Sequence, residues 1–159
     1  PTKEAIKVEV KTDPNTNSFD DIEYSGFDLN GNRYILKAEE ADFRTEKPEL
    51  INMKNVIADF YLKDGPVLRV TSKEGLYNNV TLDIEFRQNV KAIYLNSVLF
   101  ADQLNYSNTN SKLLASGNVR GESVEKGEFF ADNVEYDISN KTLNFSMSGD
   151  KKVNIKIKN

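Results

Sequence analysis

The chain has 159 residues and a net charge of −4, and it contains neither Cys nor His. Disulfides, thiol nucleophiles, imidazole bases and the usual zinc ligand sets are excluded, while a chain of this length can bury roughly 70% of its unfolded surface. The last nine residues, KKVNIKIKN, hold four Lys and no acid, so the rest of the chain is more acidic than the total suggests; that balance argues against nucleic acid as a partner.

Residues 1–21 are polar, with Asn, Thr, Ser and Pro clustered at 12–18. They read as a flexible leader with one short strand at Ile6–Val10. The chain begins with Pro and holds no long apolar run, so the expectation is a fragment whose membrane anchor has been removed. From Ile22 onward, short runs rich in Val, Ile, Leu, Phe and Tyr alternate with polar residues, and the whole of 22–159 reads as one all-β domain.

Asn30-Gly31 predicts a two-residue hairpin, because both residues accept positive φ. Asp28-Leu29-Asn30-Gly31-Asn32 also resembles the start of a calcium loop. Arg33, however, stands where such a loop needs its Gly, so the plain turn is preferred. Lys63-Asp64-Gly65-Pro66, Asn78-Asn79, Asn108 to Asn110 and Ser139-Asn140 predict further turns. TLDIEF places Leu82, Ile84 and Phe86 on one strand face, and NIKIK alternates Ile155 and Ile157 with Lys. The Lys-rich end reads as a sheet edge kept soluble by charge.

The chain repeats itself. FADQLNY at 100–106 returns as FADNVEY at 130–136. A small residue followed five positions later by an aromatic occurs as Ala38/Phe43, Ser72/Tyr77, Ala101/Tyr106 and Ala131/Tyr136. Twelve residues after the aromatic comes Asn55-Val56, Asn89-Val90 or Asn118-Val119. The fourth copy reads GDKKV, with Val153 displaced. The spacings are 34, 29 and 30 residues, which marks repeated supersecondary units. Each unit reads as a hairpin: an entering strand closed by its aromatic at the rim, a turn, and an exit strand ending at Asn-Val. Stacked hairpins give a rolled antiparallel sheet. Alternation assigns Leu36, Phe60, Leu68, Val70, Leu82, Ile84, Phe86, Val90, Ala92, Leu99, Ala101, Leu113, Ala115, Val119, Phe145 and Met147 to its interior.

Acids fall in turns or alternate outward, as Asp83 and Glu85 do, which is a solvated face and not a converging carboxylate pair. No phosphate loop, nucleophile elbow, metal-ligand spacing or cofactor motif appears. The sequence therefore argues against an enzyme and leaves two readings of the apolar interior: a ligand-binding wall or a self-packed structural core.

GFDLNGNRYILKAEEADF (26–43), ELINMKNVIADFYLKDG, VLRVTSKEGLYNNVTLDIEFRQNVKAIY and SVLFADQLNYSNTNSKLLASGNVRGES resemble, in order, the successive hairpins of the lipopolysaccharide-export family LptC. The resemblance covers residues 20–148 and implies a β-jelly-roll open along one side, of the kind shared with LptA. It further implies a periplasmic domain tethered to the inner membrane by an N-terminal helix. Such a domain receives lipopolysaccharide from the transporter LptB, LptF and LptG and passes it to LptA. The fifteen interior residues other than Ala101 then become the expected acyl-chain wall. Leu143, Asn144, Phe145, Ser146 and Met147 become the expected partner edge. An LptA-like soluble bridge and a structural or protein-interaction β-domain are the alternatives.

Overall fold

The computed structural model describes residues 3–8, 15–63, 65–147 and 154–156. Period-two alternation has become eleven strands: β1 (Lys3–Val8), β2 (Thr16–Phe27), β3 (Arg33–Arg44), β4 (Leu50–Tyr61), β5 (Val67–Asn78), β6 (Ile84–Tyr94), β7 (Ser97–Ser107), β8 (Lys112–Ser123), β9 (Gly127–Asp137), β10 (Thr142–Ser146) and β11 (Asn154–Lys156). Each strand from β1 to β10 pairs with the next, so the sheet is an antiparallel meander. β10 pairs with residues 133–137 of β9, and β11 takes up 128–130 on the same side. Together they form one interrupted edge strand. GDKKV and Val153 lie outside the described residues, as do Glu9, Val10, Asp64 and Ile157.

The leader expected over 1–21 is partly sheet, since Lys3–Val8 is β1 and Thr16–Asp21 is the first half of β2. Phe19 there stacks on Phe43 of β3 at 5.7 Å, which gives the polar stretch an apolar foothold.

The Asn-Val pairs are not strand ends. Asn55, Asn89 and Asn118 sit in the middle of β4, β6 and β8 with φ of 55°, 54° and 48°. Asp21, Gln88 and Gly117 share that left-handed conformation at the same level of the sheet. Asn is the residue other than Gly that tolerates it best, and a left-handed residue inside a ladder makes a bulge that bends and twists the strand. The ladders of β5 to β9 shift register at this level. The left-handed residues are also tied across strands: Asn55 Nδ2 donates to Glu39 Oε2 at 2.8 Å, and Asn118 Nδ2 donates to Asp102 Oδ2 at 2.9 Å. Beside the corner the small residue of each repeat pairs with the Val. Ala38 and Ser72 flank Val56, Ala101 faces Val90, and Ala131 faces Val119, all buried. A large side chain on both partners would not fit inside the bend.

This line folds the sheet into two facing leaves. Rings from opposite leaves meet between them: Tyr24 on Tyr77 at 4.9 Å, Tyr34 on Tyr106 at 5.7 Å, and Phe60 on Tyr106 at 4.8 Å. The Tyr34 and Tyr77 hydroxyls are hydrogen-bonded at 2.9 Å. Tyr77 and Tyr106 therefore lie in the core, not at the rim where the repeat pattern places its aromatics.

The free margins of the leaves are sewn together by a loop. Asn30-Gly31 is no two-residue turn, because Phe27 and Arg33 are joined by five residues organised around Asp28. The buried Asp28 carboxylate accepts from the N–H of Asn30 (2.9 Å) and Asn32 (2.8 Å), from Asn32 Nδ2 (2.8 Å) and from Ser111 Oγ (3.0 Å). Asn30 Nδ2 donates to Ser111 and Ser139, and Asn108 Nδ2 donates to the Phe27 carbonyl. The resemblance to a calcium loop ends there, since those bonds occupy both Asp28 oxygens. The Asn-rich turns thus close the roll along its N-terminal strands.

Candidate functional site

Between the C-terminal strands the leaves diverge. The ring contacts between Tyr24, Tyr34, Phe60, Tyr77 and Tyr106 do not continue here, and the second leaf ends at β10 among the described residues. What remains is an open apolar trough of about 680 Å³. One wall carries Leu68 of β5, Ala92 and Tyr94 of β6, Val98 and Leu99 of β7, and Phe129 of β9. The other carries Leu104 of β7, Leu113 and Ala115 of β8, Val134 and Tyr136 of β9, and Leu143 and Phe145 of β10. Its polar lining residues include Glu122, Glu125, Lys126 and Glu128, which ring the β8–β9 turn at its rim.

Of the expected wall residues, Leu68, Ala92, Leu99, Leu113, Ala115 and Phe145 line the trough. Leu36, Phe60, Val70, Ile84, Phe86, Val90 and Val119 are sealed in the core, each at most 2% exposed, and do not reach it. Leu82 is not on the strand face with Ile84. It occupies the β5–β6 turn with φ of 67°, and its N–H donates to the Asn78 carbonyl at 2.7 Å. Met147 follows β10 and packs, half-buried, against the core. Leu104, Val134, Tyr94, Val98, Phe129 and Tyr136 line the trough without having been assigned to it. Leu104 and Val134 had a signal: they are the fifth residue of FADQLNY and of FADNVEY, apolar both times.

The proposed edge is where the sheet ends. Among the described strands β10 pairs only with β9, and all five of its residues are exposed, Leu143 at 49% and Phe145 at 39%. Both side chains nevertheless face the trough. One face of the strand is thus continuous with the apolar wall, while its outer margin is unpaired among the described residues.

Burial pushes the Tyr136 hydroxyl above its ordinary value, so it stays neutral. Arg120 pairs with rim residue Glu122 and lies over the Phe100 ring at 4.4 Å, on the outer side. Among the described residues no group of His, Cys, Asp or Glu is placed to hold a metal, and no helix is long and apolar enough to cross a membrane.

Known proteins agree with this architecture. The chain is similar in fold to the crystal structure of LptH from Pseudomonas aeruginosa, the LptA-homologous periplasmic component of the lipopolysaccharide transport device. The TM-score is 0.57 at 8% identity, over 79% of this chain and 95% of that one. No curated protein matches the chain by sequence. The family model for lipopolysaccharide assembly, LptC-related, matches residues 2–155. Matched over nearly its whole length and carrying a jelly-roll with an apolar trough, the chain belongs to the LptC-related family of lipopolysaccharide-assembly proteins, a transport component and not an enzyme.

Proposed function

We propose that the trough holds acyl chains of lipopolysaccharide and that β10 is the edge across which the lipid passes to the next jelly-roll protein. The observation that carries this reading is the coincidence of the two features: the apolar walls run out at β10, a C-terminal strand whose outer margin is unpaired among the described residues. Each methylene moved from water onto such a wall gains about 0.8 kcal/mol without any directional bond. A bound chain is therefore held firmly yet slides. Strand addition at β10 by an LptA-type roll satisfies the free N–H and C=O groups and extends the walls. Repetition of that contact makes a bridge. In this reading the domain works in the periplasm, anchored to the inner membrane by a segment N-terminal to β1. It takes lipid from the LptB, LptF and LptG transporter, whose ATP hydrolysis drives the movement.

Photo-crosslinkers placed along the roll test the site. Leu99, Leu104 and Leu113 should capture lipopolysaccharide. Phe86 and Val70, sealed between the leaves, should not, and neither should Leu114, which points outward beside Leu113. Equal labelling of Leu113 and Leu114 would sink the proposal.

A further inference from the structure

One ring in the trough wall, Phe129, reaches the opposite wall. Phe129 pairs with Gly121 of β8, and a Cβ on Gly121 would lie only 2.0 Å from the ring. The ring therefore occupies the space that a side chain at 121 would fill, and only Gly lets it lie there. Its other side meets Phe145 edge-on, with centroids 4.7 Å apart and planes at 81°. Phe129 belongs to one leaf and Phe145 to the other, so this contact bridges the leaves where the walls give out. The strand that supplies Phe145 is the least anchored of the wall: β10 has five residues held by β9 alone, where β5 to β9 have 11 or 12 and a neighbour on each side. A trough of about 680 Å³ has the size of a small-molecule pocket, roughly 300–1,000 Å³. A lipid with several long chains needs more room.

We infer that Phe129 is a gate, parked over Gly121 and latched to Phe145 while the trough is empty, and displaced when acyl chains occupy it. This rests on the trough being the lipid site. Moving the ring clears a backbone-floored space over Gly121, between Leu99 and Phe129, that adds to the trough. The latch is a single aromatic pair, small enough for a lipid to break.

Incorporating 4-fluorophenylalanine at 129 in the full chain, with a photo-crosslinker at Leu113 in a parallel sample, separates the gate from the site. On addition of purified lipopolysaccharide, Leu113 should crosslink and the fluorine resonance should move to a new position. A resonance that stays in place while Leu113 crosslinks overturns the gate and leaves the site standing. Failure of Leu113 to crosslink overturns both. Phe145→Leu keeps the wall apolar but removes the ring pair, and should speed capture at Leu113 by about 2- to 10-fold. An unchanged rate would also overturn the latch.

Discussion

At Asn55, Asn89 and Asn118 a single backbone angle decides where a strand bends. Replacing Asn118 by Ala keeps the strand pattern but puts into the left-handed region a residue without the short polar side chain that lets Asn tolerate it, at a cost of about 1 kcal/mol. It also removes the bond to Asp102. Thermal melts should show Asn118→Ala lower by several degrees and Asn118→Gly lower by less, since Gly keeps the angle and loses only the bond. Equal losses in both variants would mean that the bond, and not the bend, is what Asn supplies. Gly117 is not open to the same exchange: its φ is +79°, and a Cβ there would meet the Asp102 carboxylate at 2.7 Å. The bends were written in the sequence but not in a form that alternation reads. Asn before a β-branched residue looks like the end of a strand, and only the paired neighbours reveal that the ladder resumes beyond it.

The strands themselves were legible because a half-buried sheet demands period two. Four hairpins appear where the repeat puts them, and their aromatics do close β3, β5, β7 and β9. The trough was not legible. Leu36 and Leu99 are the same residue at the same parity, yet one is sealed under a facing leaf and the other lines open space. What separates them is how many strands stand opposite, which a local pattern does not contain. The edge strand can be tested as an element. Along β10 successive N–H groups point alternately at β9 and away from it. Of Leu143→Pro and Asn144→Pro, one should lose a bond to β9 and lower the melting temperature. The other should melt normally and fail to dock a soluble LptA-type partner. If both variants dock like the parent, β10 is not the docking edge.

The whole roll depends on keeping tyrosines neutral between its leaves. Burial, reinforced by the bond to Tyr77, holds the Tyr34 hydroxyl far above its ordinary value, and burial does the same to Tyr106. Tyr34 touches Tyr77 and Tyr106 from the opposite leaf, so a phenolate there would force the leaves apart. Because these folded-state values are raised, the stability they contribute is complete below the unfolded tyrosine value, near 10, and is lost as pH rises above it. On the acid side the signs reverse. The backbone N–H of Asn140 holds the Asp137 carboxyl below its usual range, so the β9–β10 turn loses that support only as the pH falls below the ordinary carboxylate range. The expected profile is flat across neutral pH, with a steep alkaline loss of up to about 1.4 kcal/mol per pH unit for each such tyrosine. Urea melts from neutral pH to above 11 measure it. Phe at 34 and 106 together should cost stability at neutral pH, through the lost hydroxyl bonds to Tyr77 and Asn108, while flattening the alkaline slope. A slope equally steep in the double variant would place the alkaline weakness outside the aromatic seam that joins the leaves.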